Sequence, residues 1–162
     1  MATSYRPTND PWRISTQDDY AVDDVGGTVI QLEAATALLL GDYVYMTSSG
    51  EAAKNTTDTL YVAGLGIVVG GEAFFDMIIQ DAALIAAGTA VAADGERVLV
   101  CIAGICLGYA EATVVLGAQL GPDATTAGRV NDGATATAGQ IAGIALAVGG
   151  TDVAVKMLVQ RM

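Results

Sequence analysis

Short aliphatic runs alternate with glycine, aspartate, asparagine and threonine along most of this chain, and that spacing predicts brief strands joined by tight turns. Residues 28–32 (Thr-Val-Ile-Gln-Leu) open the pattern as a β-type run. Residues 33–40 (Glu-Ala-Ala-Thr-Ala-Leu-Leu-Leu) have the alanine and leucine content of one or two helical turns, with Gly41 as the stop. Residues 42–46 and 51–54 flank Ser49-Gly50 and predict a hairpin, followed by a loop at 55–58. Residues 74–80 (Phe-Phe-Asp-Met-Ile-Ile-Gln) read as a strand, and residues 81–87 as a loop or short turn. Asp94-Gly95 precedes a strand at 97–102, which residues 105–109 continue. Beyond Gln119 the pieces are short and bounded by Gly121-Pro122, Asp132-Gly133 and Gly149-Gly150, which is edge and loop chemistry. Residues 153–159 close the chain as a strand with Val153, Val155, Met157 and Val159 on one face and Lys156 on the other.

One wording recurs. Residues 62–71 (Val-Ala-Gly-Leu-Gly-Ile-Val-Val-Gly-Gly) and 141–150 (Ile-Ala-Gly-Ile-Ala-Leu-Ala-Val-Gly-Gly) match, with a shorter echo at 102–108 (Ile-Ala-Gly-Ile-Cys-Leu-Gly). Each copy reads as a buried strand, and the paired glycines are expected to take positive φ and turn the chain. The middle copy lacks the Gly-Gly ending and the intervening segments differ, so a solenoid is disfavoured; two related halves around a central strand at 102–108 fit better.

Brief strands, glycine-rich turns and no long amphipathic helix predict an all-β fold, a small β-barrel or sandwich. Residues 1–27 stand apart as an extended, polar N-terminal arm with Pro7, Pro11 and the lone tryptophan, Trp12; residues 28–162 then form a single β-barrel domain. Residues 98–102 and 144–148 are apolar on both faces, and a small barrel offers no second buried surface on its outer side. Self-association would supply one, which makes Val98, Val100, Ile102, Ile144 and Leu146 the candidate subunit interface.

Composition narrows the function. Hydrophobic residues make up 52% and charged residues 15% of the 162, which excludes disorder. Seven basic against eighteen acidic side chains give −11, a field that repels nucleic-acid phosphates and anionic membrane surfaces. Residues 98–120 are the longest apolar stretch, but Glu111, Gln119 and several glycines interrupt it, and no basic flank of the usual kind accompanies it. No basic segment followed by an apolar run marks an export signal.

Catalytic chemistry finds little footing. The chain has no histidine, which removes Ser-His and Cys-His pairs and narrows metal sites. A Ser-Lys dyad from Ser48 or Ser49 with Lys54 has the spacing of a hairpin turn, and carboxylate pairs such as Asp76 with Asp81 or Glu111 with Asp123 are unselected in so acidic a chain. Gly64-Leu-Gly66 leads into aliphatics, with no phosphate-loop Gly-Lys-Ser/Thr. Asp18, Asp19, Asp23 and Asp24 lack the glycine and terminal glutamate of a calcium loop and read as a solvated acidic loop. Cys101 and Cys106 read as two buried thiols. The expectation is a non-enzyme with no cofactor and no metal. What remains is the arm, where Tyr5, Arg6, Trp12, Arg13 and Ile14 combine the aromatic and arginine content of binding hot spots; the competing reading has Trp12 folding back to cap the barrel.

The series Gly41-Asp-Tyr-Val-Tyr, Ala63-Gly-Leu-Gly-Ile, Arg97-Val-Leu-Val-Cys-Ile-Ala-Gly-Ile, Gly117-Ala-Gln-Leu, Ile141-Ala-Gly-Ile-Ala-Leu and Asp152-Val-Ala-Val-Lys-Met-Leu-Val resembles the decoration (cement) proteins of tailed bacteriophages. The likeness runs from about residue 28 to the end, with Asp94-Gly-Glu-Arg-Val98 replacing the family's usual Ala-Gly-Glu-x-Val. The resemblance implies a small β-barrel, usually a homotrimer, bound to the major capsid protein on the outer surface of the virion, made in the host cytoplasm and locking capsomers against DNA pressure. A receptor- or glycan-binding β-domain of a phage fibre or tail is the alternative. The arm lies outside the matched region, so its role as the capsid contact is an extrapolation.

Overall fold

The computed structural model describes residues 27–55, 64–132 and 142–159. In chain order they form β1 (Gly27–Glu33), β2 (Leu38–Leu39), β3 (Tyr43–Met46), β4 (Ala52–Lys54), β5 (Gly64–Gly71), a 3-10 turn (Glu72–Phe74), β6 (Met77–Ile78), α1 (Ala82–Ala86), β7 (Ala90–Ala92), β8 (Arg97–Ala110), β9 (Gln119–Pro122), β10 (Val130–Asp132), β11 (Gly143–Ala145) and β12 (Val153–Val159). The all-β expectation holds. β8, β12, β11, β9 and β10 pair in that order, and a parallel bridge from Val130 to Ala110 closes them into a five-stranded mixed barrel.

β8 belongs to two structures at once. Its first half lies between β1 and β5, with Val100 opposite both Ile30 and Val68. Its second half pairs with β12 from Gly104 to Ala110 and so forms a barrel stave. Beyond β5 the sheet continues through β3 to β4.

Gly104, with φ 110, joins the halves. Before it, Leu99 and Cys101 face one core while Val98, Val100 and Ile102 face the other; after it, Cys106 and Ala110 face the first while Leu107 and Tyr109 face the second. The parity of the alternation therefore changes at a glycine, as at a bulge. This brings Cys101 and Cys106 into one core despite an odd spacing. The Cys101 thiol donates to the Ala103 carbonyl at 3.3 Å. Cys106 donates to the Cys101 sulfur, and that bond and burial together hold its thiol well above the usual range.

The first core fills the barrel with Leu120, Val130, Ala145, Val155, Met157 and Val159 among others. The second gathers Leu38, Leu40, Val44, Val68, Ile85, Val91, Val98, Val100 and Tyr109 beneath α1 and the small β2–β7 sheet. For residues 98–102 the second buried surface is thus supplied within the chain, whereas in 144–148 Ile144 stays half-exposed and Val148 is open to solvent. Val98 and Val100 are 0% exposed, which removes both from the predicted subunit interface.

Four local expectations are corrected. Residues 33–40 do not coil: Ala34 bridges to Ala52 and Leu38 pairs with Ala92. A helix preference worth only a few tenths of a kcal/mol per residue loses to the burial of Leu38 and Leu40. Within residues 81–87, Ala82–Ala86 are helical instead, because Asp81 accepts the Ala83 and Leu84 N–H groups as an N-cap. Residues 74–80 hold only the two-residue β6, since Phe75 and Asp76 both take positive φ. The Gly-Gly pairs do not turn the chain through positive φ: Gly71 is extended at φ 173 and ends β5. Gly70 and Gly71 serve close approach, their missing Cβ atoms making room for the Met77 and Val91 carbonyls.

Candidate interaction surface

A buried polar node fixes one side of the molecule. Gly128, at φ 84, accepts from the Tyr43 N–H at 2.7 Å and donates to the Asn55 carbonyl at 3.0 Å, so the β9–β10 turn is clamped on the β3–β4 hairpin. Asp123 builds that turn. Its Oδ1 accepts from the Thr125 and Thr126 N–H groups and the Thr125 hydroxyl, and its Oδ2 from the Asn131 amide. Burial pushes the Asp123 carboxyl upward, but these hydrogen bonds win and hold it below the ordinary range.

Asp42 sits under the same turn, fully buried. Its Oδ2 accepts the Leu39 N–H at 2.8 Å and pairs with Lys54 Nζ at 3.3 Å; its Oδ1 has no hydrogen-bond donor among the described residues. A Cβ on Gly128 would stand 2.6 Å from that oxygen. Burial raises the carboxyl to about 6 against the opposing pull of Lys54. Beside it Arg129 stacks on the Tyr109 ring at 3.0 Å and faces Glu111 at 3.9 Å. Among the described residues no group of three or more Cys, Asp or Glu side chains is arranged to hold a metal ion. No helix among them is long and apolar enough to cross a membrane; residues 98–120 are β8, a turn and the start of β9.

The polar node is a structural clamp. Among the described residues exposed apolar side chains lie elsewhere, grouped in three areas, with Met46 exposed by itself on β3. On the barrel's outer face, Leu158 stands opposite Ile105 on β8 and Ile144 on β11, and all three are half-exposed. At one end, paired loops held by Val114 and Gly149 present Val115, Leu116 and Val148 to solvent. At the β5–β6 turn, Phe75 is 88% exposed beside Met77 at 54%.

Of the predicted interface, Ile144 lies in the outer stripe, Leu146 is half-buried where its N–H meets the Lys156 carbonyl, and Ile102 is half-buried against the second core. Tyr5, Arg6, Trp12, Arg13 and Ile14, and the acidic segment 18–24, lie outside the described residues. The sequence reading missed Phe75, because a Phe-Phe-Asp-Met-Ile-Ile run carries no sign of a left-handed turn. It missed the Ile105–Leu158–Ile144 stripe because cross-strand register is not written in any one segment.

No protein-family model matches the chain, and neither does any curated protein. Among solved structures it is similar to the head fiber gp8.5 N base of bacteriophage phi29, at 13% identity and a TM-score of 0.47, over 85% of this chain and 96% of that one. A likeness of this degree assigns neither family nor function.

Proposed function

We propose that this chain is a non-enzymatic structural protein of a tailed-bacteriophage head: a decoration protein that self-associates, a homotrimer by the resemblance, and binds the major capsid protein on the outer surface of the virion. The observation that carries the reading is where the resembling segments fall. Residues 41–45, 64–67, 97–105, 117–120, 142–146 and 152–159 supply β3, β5, β8, β9, β11 and β12, so the ordered motifs give six strands of a single connected sheet, four of them staves of its five-stranded barrel. An acidic chain of −11 without histidine suits a surface role that needs neither nucleic acid nor catalysis.

The test is co-sedimentation of the full chain with purified heads of the phage that encodes it, together with its mass in solution. Saturable attachment by an oligomer is expected, and Trp12→Ala is expected to weaken attachment without changing the oligomer. A monomer that fails to sediment with heads overturns the reading. Binding to host cells or glycans, with none to heads, selects the fibre or tail alternative.

A further inference from the structure

We propose that Phe75 is a docking knob, which inserts into an apolar socket with a basic rim on a protein other than this chain. Resting on the virion reading above, the inference identifies that protein as a component of the head shell. Adjacent phenylalanines part ways here. Phe74 packs against the second core and anchors the turn, whereas Phe75 is 88% exposed. Aromatic side chains held out from a rigid base are the usual anchors of protein interfaces.

The base is rigid. Phe75 (φ 56) and Asp76 (φ 55) are consecutive left-handed residues, neither of them glycine. The Phe75 and Asp76 N–H groups donate to the Glu72 and Gly71 carbonyls at 3.1 and 3.0 Å. Arg97 grips the turn from the start of β8: its guanidinium meets Asp76 Oδ2 at 3.0 Å and Glu72 Oε1 at 3.7 Å, while its N–H donates to Glu72 Oε2 at 3.2 Å. A left-handed pair held from both sides sets the direction of the Phe75 Cα–Cβ bond before any partner arrives, which lowers the ordering cost of docking.

The charges select the partner. Glu33 stands opposite Arg97 across β1 and β8, Glu72 and Asp76 hold it, and Asp94 and Glu96 occupy the turn just before it. Among the described residues, the five carboxylates on and beside Arg97 against its one guanidinium leave −4 at the base of the knob (−5 + 1). A second copy meeting the knob two-fold would bring the same collar against this one, acid on acid, and one meeting it through any other face would still bring a molecule at −11. A basic rim matches the collar and steers the approach.

The decisive experiment compares wild type, Phe75→Gly and Phe75→Tyr as full chains in co-sedimentation with heads, at about 0.05 and 0.5 M salt, a range over which exposed charges become screened. Glycine adopts positive φ readily, so Phe75→Gly keeps or raises the melting temperature by about 2–4 °C. It nevertheless loses about 10- to 100-fold in head affinity, as expected for an interface anchor. Phe75→Tyr retains most of the affinity, and wild-type binding weakens at high salt. Equal binding by wild type and Phe75→Gly overturns the knob while leaving the virion reading intact; failure of wild type to bind overturns both. A wild-type oligomer that Phe75→Gly dissociates makes the occupant a second copy, and also overturns the proposal.

Discussion

Asp42 and Asp123 are both buried carboxylates, yet their surroundings move them in opposite directions. Asp123 meets four donors and is held low. Asp42 has one backbone donor and one lysine for its Oδ2 and, among the described residues, none for its Oδ1, so burial prevails and it sits at about 6 in place of 3.8. The stability consequences have opposite signs. Between those two values folded Asp42 binds more protons than unfolded Asp42, so its contribution is most favourable below 3.8 and declines as pH rises through 6. The ionised form then costs at most about 3 kcal/mol, converting the shift at 1.36 kcal/mol per unit. Asp123, with its lowered value, supplies stability above the unfolded carboxylate range that is lost on acidification. Asp42→Asn should therefore stabilise the protein more at pH 7.5 than at pH 4, by urea denaturation at each pH. The Asp123 effect cancels in that difference. An advantage independent of pH would show that Asp42 ionises normally in the folded state.

At the scale of elements, the legible parts of the sequence were those in which one physical effect dominated. The closing strand, with Val155, Met157 and Val159 buried and Lys156 outward, followed directly from alternation. The hairpin at Ser49-Gly50 and the turn at Asp94-Gly95 followed from glycine, and Gly50 and Gly95 do take φ of 87 and 80. Where two effects competed the reading failed, as at Leu38 and Leu40, where packing outweighed helix propensity. β8 is the instructive middle case. Both of its halves were legible, and the glycine between them was visible, but not that it would reverse which residues face which core. That reversal predicts a cost. At φ 110 Gly104 occupies backbone space that L side chains rarely enter, so Gly104→Ala should destabilise by roughly 1–3 kcal/mol. For a chain of this size that is about 3–10 °C in melting temperature. The buried thiols of Cys101 and Cys106 should react faster with a thiol reagent in the variant. An unchanged melting temperature would mean that the two halves do not need this glycine.

For the whole molecule, the most consequential difference from the sequence reading is where the second apolar surface went. Strands apolar on both faces predict a neighbour, but for residues 98–102 α1 and the β2–β7 sheet cover one side and the first core takes the other. The case for self-association therefore moves off Val98 and Val100. It rests on Ile105, Leu158 and Ile144, three aliphatic residues side by side across β8, β12 and β11. Cross-strand apolar neighbours left half-open to water gain from being covered, and Lys156 and Gln119 flank the stripe along β12 and across from Ile144. The sheet beneath it is fully paired, so a polar change there alters the surface without opening the core. Leu158→Glu is accordingly expected to dissociate the proposed homotrimer, read by sedimentation of the purified protein, while the melting temperature measured at low concentration stays within about 3 °C of wild type, as for surface substitutions in general. If the oligomer persists in Leu158→Glu, the subunits meet through another face. The exposed pair of loops bearing Val115, Leu116 and Val148 then becomes the surface to change, because among the described residues it carries the largest remaining apolar exposure outside the Phe75 turn.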